Sequence, residues 1–260
     1  VENRFGLDGL WVDQPPVKWV KYQPVSKMLV LDHIYPDGIE IPEPFIGKSI
    51  VHLPTVKTHV FTTVTGAMKN AFGGLLNRRR HWTHSVIHET LVDLLNIQRE
   101  IHPGIFAVTD GTFAGDGPGP RAMRWHEKNV ILAGADQVAL DAVMAKMMGF
   151  DPMSIKFIRL AHEMGLGCGD IGEIDVLGED ISRVNWHFSR SEDTFASVGQ
   201  KLIYWGPLKP LERLLLRTPL AQWAFLASNL YHNAYWFPFI GRMRVNSAMK
   251  TGWGQLFERY

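Results

Sequence analysis

Across residues 49–178 the sequence alternates short β-forming runs with amphipathic helical runs, which confines this part of the chain to an α/β layer architecture. Ser49-Ile50-Val51-His52-Leu53 reads as a strand stopped by Pro54, because proline cannot donate to a ladder. Over residues 83–101, Val86, Ile87, Leu91, Leu94, Leu95 and Ile97 recur on one helical face. Pro103-Gly104 breaks that helix, and Ile105-Phe106-Ala107-Val108 follows as a strand candidate ending at Asp110-Gly111. A further strand is expected over residues 129–133. The helix expected over residues 137–148 has Asp136 placed to cap it and Gly149 placed to end it. Asp151 or Ser154 opens another helix, which stops near Gly165-Leu166-Gly167, and residues 173–177 give a last short strand. The expectation is a mostly parallel sheet flanked by helices.

The ends are less regular. The first 48 residues are rich in Pro and Trp, with strand candidates at residues 17–22 and 28–32. After Ser182 the composition changes: Trp186, Trp205, Trp223, Trp236 and Trp253 lie among prolines and Leu-rich helical pieces. A boundary near Asp180 would divide an α/β domain, residues 1–180, from an aromatic-rich helical extension, residues 181–260. The alternative is an extension that wraps the same core. Residues 218–241 contain no Asp, Glu, Lys or Arg and carry Trp223, Phe225, Tyr231, Tyr235, Trp236, Phe237 and Phe239. Gln222, Ser228, Asn229, His232, Asn233 and Pro238 interrupt the apolar character, so a membrane-spanning segment is not expected. Packing against the chain's own core or a sister subunit is the favoured reading. Peripheral membrane contact, helped by Arg217, Arg242 and Arg244, is the other.

Composition narrows the function classes. With 46% apolar and 20% charged residues, general disorder is excluded. Lys plus Arg number 27 against 26 for Asp plus Glu, which argues against a nucleic-acid binder. The one cysteine, Cys168, excludes a disulfide framework, a cysteine-based zinc site and an iron–sulfur cluster held by this chain alone. A turn cysteine in Gly165-Leu166-Gly167-Cys168-Gly169, it suits a reducing, cytoplasmic compartment. No secretory signal is visible at Val1, and a first residue other than Met points to a fragment or a processed product.

Three segments carry candidate chemistry. In the first, Lys57, His59, Lys69 and Asn70 supply two cations, an imidazole and an amide within 14 residues. Thr65-Gly66 at a helix start would offer backbone N–H groups to an anion. The second is the run from Asp110-Gly111 through Gly115-Asp116-Gly117 to Pro120, a glycine-rich loop that would let backbone approach a ligand. Asp110, at its strand end, could serve as base or metal ligand. Neither a Walker loop nor a dinucleotide fingerprint is present. The third is His81, His84 and His88, just after Arg78-Arg79-Arg80, whose spacings of three and four put them on one helical face as metal-ligand candidates.

The motifs Pro54-Thr55-Val56-Lys57-Thr58-His59, Thr65-Gly66-Ala67-Met68-Lys69-Asn70 and Phe72-Gly73 resemble the domain-of-unknown-function 362 family. So do Asp110-Gly111, Gly115-Asp116-Gly117-Pro118, Ala133-Gly134-Ala135-Asp136 with Asp141, and Gly165-Leu166-Gly167. Members often add a ferredoxin-like module with cysteine clusters, which this sequence lacks, and the resemblance implies that the family's N-terminal portion is shortened or missing here. More distantly, His59 and Lys69 share the ten-residue spacing of the lactate racemase family, which holds a nickel-pincer nucleotide on its lysine. That resemblance implies an acid/base role for His59 and a cofactor-anchoring role for Lys69, with His81, His84 or His88 as the nearest ligands. Met68 and Asn70 depart from that family's run. The resulting expectation is an enzyme dependent on a divalent metal or metal-containing cofactor, acting on a small anionic substrate and assembling as a homo-oligomer. The alternative is a non-catalytic ligand-binding or assembly protein.

Overall fold

The computed structural model describes residues 5–76, 79–189, 192–218 and 222–260. Val1, Arg78 and the side chains of Trp223 and Phe225 fall outside the described set. The chain opens with β1 (Trp19–Tyr22), a single helical turn α1 (Leu31–Ile34) and β2 (Ile39–Pro42), which pairs antiparallel with β1. The central sheet follows, with β3 (Ile50–His52), β4 (Thr55–His59) and β5 (Thr63–Thr65). Helices α2 (Ala67–Leu75) and α3 (Ile87–Ile101) lead to β6 (Ile105–Asp116) and β7 (Arg124–Gly134). Then come α4 (Gln137–Met148) and α5 (Lys156–Glu163).

This is an α/β sheet flanked by helices, with a helical C-terminal region. β3, β4 and β6 run in one direction, while β5 and β7 run against them. β3 and β4 form one interrupted line along a single edge of β6, broken at Leu53-Pro54, and β7 occupies the other edge. Alternation sorts the faces. His52, Ala107 and Thr109 are buried on the helix-covered face, while Val51, Phe106 and Ile131 point the other way and are exposed. α2, α3 and α4 stack on the covered face, where Leu91, Leu94, Ile97, Met68 and Met144 are fully buried.

The caps of α4 are as its sequence dictates. Asp136 accepts from the Val138 and Ala139 N–H groups at 2.8 and 3.0 Å, and Gly149 takes a left-handed conformation, φ 98°. Elsewhere the structure corrects the sequence reading. Residues 28–32 are not a strand: buried Asp93 on α3 accepts from the N–H groups of Leu29, Val30 and Leu31 and turns them into the start of α1. Residues 173–177 are not a strand either; Asp170 caps one 3₁₀ turn, and Leu177 beyond it is exposed. Asp151 caps a separate 3₁₀ turn ahead of α5.

The largest correction concerns the glycine-rich run. β6 does not end at Asp110 but continues to Asp116, shifting register against both β4 and β7 as it passes residues 110–115. A Cβ on Gly111 would meet Val130 Cγ2 at 2.5 Å, and one on Gly115 would meet Met123 Sδ at 2.5 Å. These glycines let a strand interior pack closely. They do not open a loop.

After residue 180 the chain folds back over the same sheet as α6 (Phe195–Tyr204), α7 (Glu212–Leu216) and α8 (Gln222–Asn229). A π-helical stretch (Leu230–Gly241), α9 (Arg242–Ala248) and α10 (Gly252–Arg259) complete it. Tyr204 is buried with Ile203 and Leu216 in a small cluster beside Phe61, and Trp205 Nε1 donates to the Ser85 carbonyl at 3.0 Å. Trp253 Nε1 donates to Asn129 Oδ1 at 2.6 Å, and Arg244 donates to the carbonyls of Ala122 and Met123. None of the described helices is long and apolar enough to cross a membrane.

Candidate functional site

β4 carries Thr55, Lys57 and His59 on the face away from the helices. β5 turns back beside it and sets Thr65 directly opposite Lys57. α2 begins two residues after Thr65, so Lys69 falls in its first turn. Strand, return strand and helix start thus bring two lysines, a histidine and a threonine to one end of the sheet.

Lys57 Nζ donates to Thr55 Oγ1 at 3.0 Å. The Lys69 ammonium lies 4.7 Å from the Phe72 ring centroid, and among the described residues it has no hydrogen bond or ion pair. Burial pushes the Lys69 pKa down to about 8, with the Lys57 and Arg80 charges adding to it. Burial likewise lowers Lys57. On β5, opposite Lys57, the Thr65 hydroxyl is buried without a partner among the described residues.

His59 is 7% exposed, and its Nδ1 accepts from the Phe61 N–H at 3.2 Å. That contact leaves the proton of the neutral ring on Nε2. Burial first, then the charges of Lys69, His84 and Lys57, hold its pKa well below the ordinary histidine value. The ring is therefore neutral near pH 7, suited to donating a hydrogen bond from Nε2. It borders a cavity of about 530 Å³ whose walls include Phe61, His84, Pro118, Ile203 and Tyr204. The C-terminal region supplies the last two, which sequence patterning gave no means of pairing with His59. Phe61 stands at the centre of this wall, edge-on to His59, His84, Tyr204 and Trp205.

Other candidate residues are committed elsewhere. The Ala67 and Met68 N–H groups at the start of α2 do not face a ligand. They donate to the Asp141 carboxylate at 2.6 and 3.1 Å, and a Cβ on Gly66 would lie 2.0 Å from Asp141 Oδ1. Asn70 donates to His52 Nδ1 at 3.2 Å, and His52 Nε2 in turn meets Gln98 Oε1 at 2.6 Å. Asp110 sits mid-strand opposite Thr55, on the Lys57 face, with its carboxylate accepting from the Thr112 N–H at 2.8 Å. His59 stands four residues further along β4, about 13 Å at the usual rise of a strand. Asp116 is tied to Arg124 at 3.0 Å and to the Ser189 N–H at 2.7 Å. The Gly117 carbonyl accepts from Thr58 Oγ1 at 2.6 Å, locking the turn after Gly115 onto β4.

The three helical histidines diverge. His81 Nε2 contacts the Leu216 carbonyl at 2.9 Å, His84 stacks on Tyr204, and His88 stacks on Phe157. Burial lowers the His84 pKa to about 4. Among the described residues no three His, Cys, Asp or Glu side chains converge as metal donors, so His81, His84 and His88 do not make the ligand set that their spacing suggests. The change from 3₁₀ geometry at Arg80–Val86 to α geometry at Ile87 rotates the third ring away from the first two.

The chain is 28% identical over 124 residues to a thylakoid-associated protein, sll1697, of Synechocystis sp., a match that covers 45% of this chain and 37% of the relative. The aligned part is thus little more than a third of that protein's length. No solved structure is a significant match. The profile of the domain of unknown function DUF362 matches residues 14–146, spanning both β4–α2 and the β6–β7 pair. With that match extending over just over half of its length, the chain belongs to the DUF362 family.

Proposed function

We propose that this chain binds a small anionic ligand at the end of β4, between Lys57, Thr65 and Lys69, with neutral His59 donating a hydrogen bond from Nε2. The observation that carries the reading is Lys69: a half-buried ammonium over the Phe72 ring, with Lys57 nearby and no hydrogen bond or ion pair among the described residues. A charge held partly out of water with no counter-ion is costly. A bound carboxylate or phosphate would compensate both lysines and would give the orphaned Thr65 hydroxyl an acceptor. The same arrangement serves an enzyme acting on a small anionic substrate, since two cations stabilise negative charge that develops on it. The relative's name, thylakoid-associated, supports a membrane-peripheral setting for this binding unit.

Calorimetric titration with inorganic phosphate and with malonate tests the reading, using the unsubstituted chain, Lys69→Met and Thr65→Val. Losing a buried charge contact is expected to weaken binding by at least about tenfold, and Thr65→Val is expected to weaken it less. Equal affinity in the unsubstituted and Lys69→Met proteins, or no binding of either anion, would overturn the proposal.

A further inference from the structure

Residues 213–257 contain no Asp or Glu and carry five cations, Arg213, Arg217, Arg242, Arg244 and Lys250. Folding leaves much of the described apolar content of this region exposed. Leu226, Leu230, Tyr235, Phe239 and Met243 are between 57% and 65% exposed. They lie on one unbroken helical run, from α8 through the π-helical stretch into α9. Tyr235, Phe239 and Met243 follow at intervals of four, so they project from neighbouring turns of that run. Tyr231, Tyr235 and Phe239 form a ring ladder with centroid spacings of 6.0 and 5.8 Å. Arg242 and Lys250 are exposed beside it.

The buried side of the same run explains why it holds this position. Arg244 is fixed to the Ala122 and Met123 carbonyls with Trp236 against its guanidinium, and Gly241 is buried, where a Cβ would lie 2.6 Å from the Trp236 ring and 2.9 Å from that of Phe237. The run is therefore attached to the sheet by one side and presents leucine, aromatic and methionine side chains on the other.

We propose that this face docks on the interface of an anionic lipid bilayer, independently of the ligand reading at Lys69. Charge complementarity selects that occupant. Two copies packed through this face would bring like charges together with no acidic residue in the segment to offset them. A bilayer carrying anionic headgroups matches them, while accepting exposed aromatic and aliphatic side chains at the headgroup–acyl boundary. The segment lies along the membrane and does not cross it, since no described helix has the length and hydropathy to span.

The test is flotation of the full chain with vesicles of phosphatidylcholine alone and of phosphatidylcholine mixed with phosphatidylglycerol, at low and high salt. Flotation with the anionic vesicles only, released by salt, is the expected result. Phe239→Ser with Met243→Ser is expected to abolish it, and Arg242→Gln to weaken it about fivefold, with unchanged circular dichroism in both. Equal flotation on the two vesicle types, or none on either, would overturn the proposal. So would a concentration-dependent dimer that Phe239→Ser dissociates, since a second copy would then be the occupant.

Discussion

Asp141 offers the sharpest test of how the site is held, because it joins α4 to the start of α2 beneath Thr65 and Gly66. Its side chain is fully buried and accepts two backbone N–H groups. Desolvation nevertheless outweighs those bonds and raises the carboxyl from 3.8 to about 7. A carboxyl that binds its proton more tightly in the folded chain contributes stability that is complete below the unfolded pKa. That contribution is lost as pH rises toward the folded value. Linkage over this interval comes to about 4 kcal/mol at about 1.4 kcal/mol per pH unit, of which about 2–3 kcal/mol falls between pH 5 and pH 8. Asp141→Asn removes the titration and turns an amide donor toward one of the two N–H groups, which costs about 1–3 kcal/mol. Urea unfolding at both pH values should therefore find the variant less stable near pH 5 and the gap closing near pH 8. A gap that widens with pH would refute the reasoning. It would mean that the carboxylate is held ionised by the helix start and that the two N–H bonds outweigh desolvation.

Three further outcomes are expected. Phosphate affinity of the unsubstituted chain should fall as pH rises through about 8, where Lys69 loses its charge, whereas in Lys69→Met calorimetry should find no such fall attributable to this lysine. Gly119→Ala would place a Cβ 1.9 Å from the Thr58 carbonyl oxygen, which is backbone and cannot rotate aside; thermal denaturation should show a loss of about 1–3 kcal/mol. Leu91→Ala, at a fully buried position on α3, should cost about 2–5 kcal/mol in urea unfolding.

The helices were the legible part of the sequence. Asp136, Gly149 and the apolar face of residues 86–97 act locally, through caps and periodicity, so α4 and the main body of α3 lie where the pattern put them. Residues 110–116 misread because glycine signals both loops and crowded strands. Only the neighbours Val130, Val56 and Met123, distant in sequence or across a turn, decide between them. Residues 28–32 misread for a similar reason, since the group that turns them is Asp93, more than sixty residues away. At the candidate site, Lys57, His59 and Lys69 were visible as a cluster because one strand, one turn and one helix start hold them. The carboxylate that occupies the N–H groups after Gly66 was not visible as a cap, since Asp141 looks like an ordinary helix residue until α4 is laid against α2. The tail's contribution to the cavity wall, through Ile203 and Tyr204, depends on a return of the chain that no local pattern encodes.

β6 is bonded on both edges, and its two neighbours reach it by different routes. β7 is the next strand in the chain and closes a local hairpin. β3 meets it through pairs such as Ile50 with Ile105, across more than fifty residues that include α2 and α3. Closing a loop of that length costs about 3–4 kcal/mol of chain entropy before any contact compensates it. Order of assembly follows from that difference: the β6–β7 hairpin forms early, and the β3–β4 line docks late onto an edge that is already present. Substitutions in the hairpin will therefore slow folding, while those in β3 and β4 will mainly speed unfolding. Because β4 carries Lys57 and His59, this order would complete the candidate site late in folding, an expectation that hydrogen exchange of the β4 amides against those of β7 would check.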